Sequence, residues 1–210
     1  VCKDKLTLDS KKDYGLMILT GVVMAIHWSS FFQSIQTSSV AIGTITFSTF
    51  PLFLTFLEPL LFHEKICGKN ILNALILLMG VLITIPEFSV ENKVTIGILW
   101  GMLASFTYAV MTLSNRYFSS RYKGRTICLY EQGTAAIALL PALVLVKAEW
   151  RPVDFAGVAT IGFLCTAIAY SLYVTAQKGV KAQTAGIISG METVYGIEFA
   201  LIFLREIPTV

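Results

Sequence analysis

The stretch AQKGVKAQTAGIISGMETVYGIEFALIFLREIP, residues 176–208, decides how the chain is read. It holds a short basic turn, KGVKAQ (178–183), a long run of apolar and small residues, and then a basic–acidic pair, Arg205 and Glu206. Moved back by 142 residues, it lands on a second stretch built to the same plan. FLREIP (203–208) falls on LFHEKI (61–66), KGVKAQ on QTSSVA (36–41), Glu206 on Glu64 and Thr193 on Pro51. Each copy is an apolar span, a very short polar turn, a second apolar span and a closing Glu beside a basic or His residue, which is the signature of an internal repeat.

Outward from these copies, hydropathy predicts seven apolar spans, here lettered A (14–36), B (39–62), C (70–86), D (94–117), E (126–147), F (155–177) and G (182–204). A helix needs about 20 residues to cross roughly 30 Å of hydrocarbon, and the spans have that scale. Hydrophobic residues make up 55% of the chain and charged residues 14%, with a mean hydropathy of +0.72. A water-soluble domain carries about a quarter charged residues, so this composition excludes one. In lipid the backbone must satisfy its own hydrogen bonds, so the spans are predicted helical despite their β-branched and aromatic content. The expected fold class is all-α, a polytopic membrane helix bundle.

Basic residues are retained on the cytoplasmic side, so Lys and Arg in alternate loops give the orientation. The leading tail and the B–C, D–E and F–G loops hold twelve, whereas the other set holds four. The tail is therefore predicted cytoplasmic and the end of G external. That places Glu64 and Glu206 on opposite faces, so the two copies are predicted to be inverted. Two halves of opposite topology can exchange conformations around a site near the midplane, the physical basis of alternating access.

The net charge of +3 comes from short clusters between apolar blocks, with no continuous stripe, which argues against nucleic acid as a partner. Cys2, Cys67, Cys128 and Cys165 are scattered and read as reduced thiols, with no metal site and no cofactor expected. GxSxG, HExxH, P-loop and nucleotide-binding glycine patterns are absent, so no catalytic residues are assigned and energy would come from a gradient. The chain starts on Val1 with Lys-rich sequence before its first apolar block; this reads as no signal peptide, with the native start expected upstream.

With these residues in view, the chain resembles the drug/metabolite transporter superfamily, specifically its EamA branch. The resemblance rests on the A–B hairpin ending in a Pro-containing helix and HEK (63–65), on span C with Gly80, and on residues 176–208. It covers nearly the whole chain. It implies ten helices in two inverted five-helix halves, of which seven would be present: residues 1–90 as a first half lacking its first two helices, and 91–210 as a second half lacking its last. It also implies a multi-pass protein of the cell inner membrane. Thr193 departs from the Pro that the family often carries after the acidic residue.

Ionisable groups within a membrane are costly and so mark function by default. Glu192 lies near the middle of G, with Ser189 and Tyr195 three residues away on either side. It reads as a contact for a substrate amine, as a carboxylate that exchanges protons, or as a structural group bonded to a neighbouring helix. Glu198 and Glu131 are expected to reach interfacial water, and Glu58, before Pro59, to face the cytoplasmic interface. Span A carries His27, Trp28, Ser29, Ser30, Gln33 and Ser34, a run too polar to face lipid. His27 fits either proton coupling or hydrogen-bonded packing, and Trp28 either a cavity wall or an interfacial anchor. Phe32, Phe47, Phe50, Tyr108, Tyr170 and Tyr173 fall at middle depths and suit either an amphipathic cavity or bundle packing. The predicted substrate-binding set is Glu192, Tyr195, His27, Trp28, Phe32, Phe47, Tyr108, Tyr170 and Tyr173. Along G, Ala182, Gly186, Ser189, Thr193, Gly196 and Ala200 form a seam for close helix approach.

Three function classes meet these features. A secondary active transporter of small metabolites or drug-like solutes, an exporter among the options, fits the inverted repeat and the polar midplane. Its partners would be a small-molecule substrate and the lipid bilayer, with proton coupling and a homodimer compatible with the sequence. A membrane enzyme or flippase acting on lipid intermediates would use Glu64 with His63 and Arg205 with Glu206. A seven-helix receptor fits poorly, because the tail is predicted inside and G has no Lys to hold retinal.

Overall fold

The computed structural model describes residues 6–66, 68–83, 92–145, 151–189 and 191–205. Glu206, Lys3, Lys5, Lys147, Cys2, Cys67 and the side chains of Thr193 and Ala200 lie outside the described residues. Among those described, the chain is helical without a strand. The helices are α1 (Lys11–Thr37), α2 (Val40–Phe47), α3 (Phe50–Phe62), α4 (Gly68–Ile83), α5 (Lys93–Ser119), α6 (Gly124–Leu139), α7 (Ala142–Leu145) and α8 (Pro152–Thr160). A π-helical stretch, Ile161–Tyr170, joins α8 to α9 (Ser171–Ala176), and α10 (Ala182–Ser189) and α11 (Met191–Phe199) follow. Among the described residues, five segments are long and apolar enough to cross a membrane: Lys11–Thr37, Val40–Phe62, Lys93–Ser119, Gly124–Leu145 and Pro152–Gly179.

Prolines explain where the long spans are interrupted. Proline has no N–H, and its ring clashes with the carbonyl four residues back. Pro141 separates α6 from α7 within span E. In span B, α2 ends just before Pro51, which sits in the first turn of α3, with Ser48 and Thr49 at the join holding ψ near zero, at −5° and −4°.

The contacts divide the chain into two compact units, one of Val1–Ala25 and Ser114–Val180, the other of Ile26–Leu113 and Lys181–Val210. In the first, Leu8, Met17, Phe118, Ile127, Cys128 and Val174 form the core. Gly21 lets α1 press on α6, since a Cβ there would lie 2.5 Å from Thr134 Cβ and 2.8 Å from the Glu131 carbonyl. The leading segment is tied down by tyrosines: Asp9 N–H donates to Tyr122 Oη (2.9 Å), which donates to Asp13 Oδ2 (2.7 Å). Burial holds the Tyr122 phenol above its ordinary value.

In the second unit, α3 packs on α4 and α10, and α2 packs on α11. Ala182 N–H donates to Glu58 Oε1 (3.0 Å). A Cβ on Gly186 would meet Phe50 and Leu54, and one on Gly196 would meet Thr44. As the chain rises from 182 to 196, its partners fall from 58 to 44, so α2–α3 and α10–α11 run antiparallel. The repeat register is equally plain. The helix α1 ends at Thr37 and the 3-10 turn that continues α9, Gln177–Gly179, at Gly179, and helices begin again at Val40 and Ala182, each pair separated by the 142-residue offset. The same offset separates His63 and Arg205, the two described non-glycine residues with positive φ, at 54° and 55°. His63 ends α3 in the left-handed cap that closes many helices, and Arg205 follows Ala200–Leu204, the π-helical continuation of α11, with the same sign of φ.

Candidate functional site

The interruption of α2–α3 sets the chemistry around it. Pro51 leaves the carbonyl of Phe47, four residues back, without its helical donor, and in a membrane such a group needs another. Ser105 of α5 supplies it, donating to Phe47 O at 2.6 Å, with Thr46 O at 3.2 Å. Thr49 Oγ1 lies 2.9 Å from the Ser105 hydroxyl and donates to Thr46 O at 2.7 Å. The buried Thr46 Oγ1 has no hydrogen-bond partner among the described residues. Small residues bring α5 this close: Ser34 Oγ donates to Gly97 O (2.6 Å), and a Cβ on Gly101 would lie 2.7 Å from Thr46 Cβ.

Aromatic rings surround this polar knot. His27, 3% exposed, has Nδ1 2.9 Å from the Ala104 carbonyl. Its ring lies 5.2 Å from Tyr108, 5.5 Å from Phe47 and 5.4 Å from Trp28. Phe50 meets Tyr108 edge-on at 4.8 Å, and Phe32, 50% exposed, stacks on Trp28 at 5.7 Å. Thus His27, Trp28, Phe47 and Tyr108 come together, with Phe32 at their margin. Span A is not polar on all sides inwardly: His27, Ser30 and Ser34 turn in, whereas Ser29 and Gln33 are exposed. Glu192 and Tyr195 sit on α11 and are exposed. Glu192 lies between Gly186, opposite Phe50, and Gly196, opposite Thr44, which sets it at the depth of the interruption.

Tyr170 and Tyr173 belong to the other unit, their rings 6.2 Å apart. There Tyr170 Oη donates to Glu131 Oε2 at 3.1 Å. With the Asn115 amide nitrogen turned to the carboxylate, it donates at 2.7 Å to Oε1 and 3.2 Å to Oε2. Glu131 is 0% exposed, so the expectation that it reaches interfacial water is corrected. Position along the span placed it near a helix end, but the face it occupies points into the core. Glu58 is corrected likewise: it is 4% exposed and caps the start of α10. Glu198 is exposed. Ser105, Thr46 and Asn115 were missed. The Pro51–Phe47 spacing was the available signal for the first two, because it predicts an orphan carbonyl wanting a hydroxyl.

The EamA-like transporter family model matches residues 1–85 and 95–210. The chain belongs to the EamA-like transporter family. Among EamA relatives, an uncharacterized transporter of Helicobacter pylori (strain J99) is 28% identical over 193 residues, covering 86% of this chain and 62% of its own length. The uncharacterized transporter YxxF of Bacillus subtilis (strain 168) is 22% identical over 198 residues, covering 92% and 63%. The chain therefore spans under two thirds of the length of the curated relatives it matches. These relatives are named as transporters, not enzymes. A protein crystal structure matches with a TM-score of 0.65 at 14% identity, over 94% of this chain and 78% of that one, a likeness of fold. The EamA assignment and the apolar helices make this a multi-pass membrane protein.

Proposed function

We propose that the chain is the greater part of a secondary active transporter that moves small metabolites or drug-like solutes across the cytoplasmic membrane by alternating access. The observation that carries this reading is the antiparallel pairing of α2–α3 with α10–α11 in a shared 142-residue register. In this reading residues 1–90 and 91–210 are the two halves, and the leading tail is cytoplasmic, as the Lys and Arg distribution favours. Interrupted membrane helices commonly form carrier sites near the midplane. Here the substrate meets the Thr46–Phe50 interruption, the aromatic group of His27, Trp28, Phe32, Phe47 and Tyr108, and Glu192 and Tyr195 on α11. The buried, unpartnered Thr46 hydroxyl supports that placement, because a polar group left so costs about 1–3 kcal/mol that a ligand can recover.

Proton coupling belongs to Glu131 in this account. Its hydrogen-bond partners, Asn115 and Tyr170, are neutral, so gaining or losing a proton there rearranges the helices that hold it. Tyr170 and Tyr173 then serve that group and not the aromatic site. The test is transport by the full-length protein in proteoliposomes against a broad panel of amino acids, amphipathic metabolites and drug-like solutes. Wild type is expected to carry at least one solute down an imposed gradient, and Thr46→Val to lower that flux without unfolding the protein. Failure with every solute, alongside turnover of a lipid intermediate, would replace this reading with the lipid-enzyme or flippase alternative.

A further inference from the structure

We propose that a basic cavity at the ends of α5, α6 and α9 binds the phosphate headgroup of an acidic membrane phospholipid. The cavity has a volume of about 620 Å³, within the range of roughly 300–1,000 Å³ typical of small-molecule sites. Arg121, Lys123, Arg125 and Lys178 line it, and among the described residues no Asp or Glu does. The hydroxyls of Ser171 and Thr175 also line it, that of Thr175 donating to Ser171 O at 2.6 Å. Its shape is set by Gly124, the first residue of α6. A Cβ there would collide with Thr175 Oγ1 and lie 3.0 Å from both Ser171 O and Thr175 N. Only a glycine lets the α6 start rest directly on α9, which brings the positive end of α6 to the same cavity.

Arg121 is held in place from behind by Asp13 (3.5 Å) and by the Tyr117 ring, 4.6 Å from its guanidinium carbon. Its five N–H donors exceed what one such contact uses, so it keeps capacity toward the cavity. Basic loops alone would satisfy the orientation rule for membrane insertion, but that rule requires no concave site. The apolar wall favours an amphiphile over a free phosphate ion. Ile168 and Leu172 are exposed cavity residues on Pro152–Gly179, a segment apolar enough to cross the membrane. A headgroup at the cations thus leaves its acyl chains along a lipid-facing helix. The basic-residue count puts this end at the cytoplasmic leaflet, where acidic lipids draw basic segments.

The inference is independent of which solute is carried. Its test is native mass spectrometry of the full-length protein, delipidated and then titrated with phosphatidylglycerol or phosphatidylcholine. Each basic residue near an acidic lipid contributes about a fivefold factor, so Lys123→Gln with Arg125→Gln and Lys178→Gln should weaken phosphatidylglycerol binding about 100-fold. Phosphatidylcholine binding should be weak and unchanged. Ala167→Trp keeps every charge but fills the cavity, and should also lose the bound acidic lipid; it decides the matter if the triple variant does not fold. Equal retention of phosphatidylcholine by wild type, or phosphatidylglycerol held at the wild-type level by Ala167→Trp, overturns the proposal. So does displacement of the lipid by equimolar inorganic phosphate, which would make the site one for the free ion.

Discussion

The interruption at Ser48–Thr49 and the surroundings of Glu131 are both buried and polar, yet they are built from different chemistry. At the interruption the polar groups are hydroxyls and backbone carbonyls, and aromatic rings pack around them. Around Glu131 the central group is ionisable, and an amide and a phenol grip it. The first arrangement offers hydrogen bonds that a neutral or cationic solute can take over without moving a charge. The second changes its bonding only when a proton moves. The difference suggests a division of labour between holding a solute and coupling it to a gradient, and it can be broken from either side.

The largest effect is expected at Glu131. Glu131→Leu leaves Asn115 and Tyr170 without their partner, at a cost of about 1–3 kcal/mol for each buried group, and thermal denaturation should show it. In Glu131→Gln the amide oxygen still accepts from Asn115, and the amide nitrogen can donate to Tyr170 Oη, whose hydroxyl turns to Asn115 Oδ1 (2.8 Å), so stability should stay near wild type while the pH dependence of transport is lost. Persistence of that pH dependence in Glu131→Gln would dissolve the contrast. Next comes the antiparallel seam: Gly186→Leu drives a side chain into Phe50 and Leu54 and should cost about 1–3 kcal/mol by overpacking. Ser105→Ala removes the hydroxyl that serves the Phe47 carbonyl and should cost roughly 1–2 kcal/mol, with solute affinity changed and pH dependence retained. Smallest is Lys181→Ala. Its partner Glu64 is 3.0 Å away, but the pair is solvent-exposed, so the loss should stay below about 1 kcal/mol.

Much of this architecture was legible in the residues. The 142-residue offset found by matching LFHEKI with FLREIP is the offset that separates the helix starts at Val40 and Ala182 and the positive-φ residues His63 and Arg205. Depth along a helix was readable because hydropathy is a one-dimensional signal. The facing of a side chain was not, because it depends on which helix packs alongside. That is why Glu131 was placed in interfacial water and Glu58 at an interface, when both are buried against a partner helix. The aromatic group was half legible: His27, Trp28, Phe47 and Tyr108 gather, whereas Tyr170 bonds Glu131 and Tyr173 stacks near Tyr170. Span B read as one helix because Pro51 lies among strongly apolar neighbours, and the hydroxyl that stabilises its interruption comes from α5, more than fifty residues on.

The inverted pairing of α2–α3 with α10–α11 can be tested by disulfide formation in the native membrane, after the four native cysteines are changed to serine. A Cβ on Gly196 would lie 3.9 Å from Thr44 Cβ, within the separation of about 3.5–4.5 Å that a disulfide spans. Thr44→Cys with Gly196→Cys should therefore cross-link on mild oxidation, whereas Thr44→Cys with Gly186→Cys should not. Cross-linking of the 44–186 pair in place of the 44–196 pair would mean that the two helices run in the same direction, and the inverted-repeat account would be contradicted.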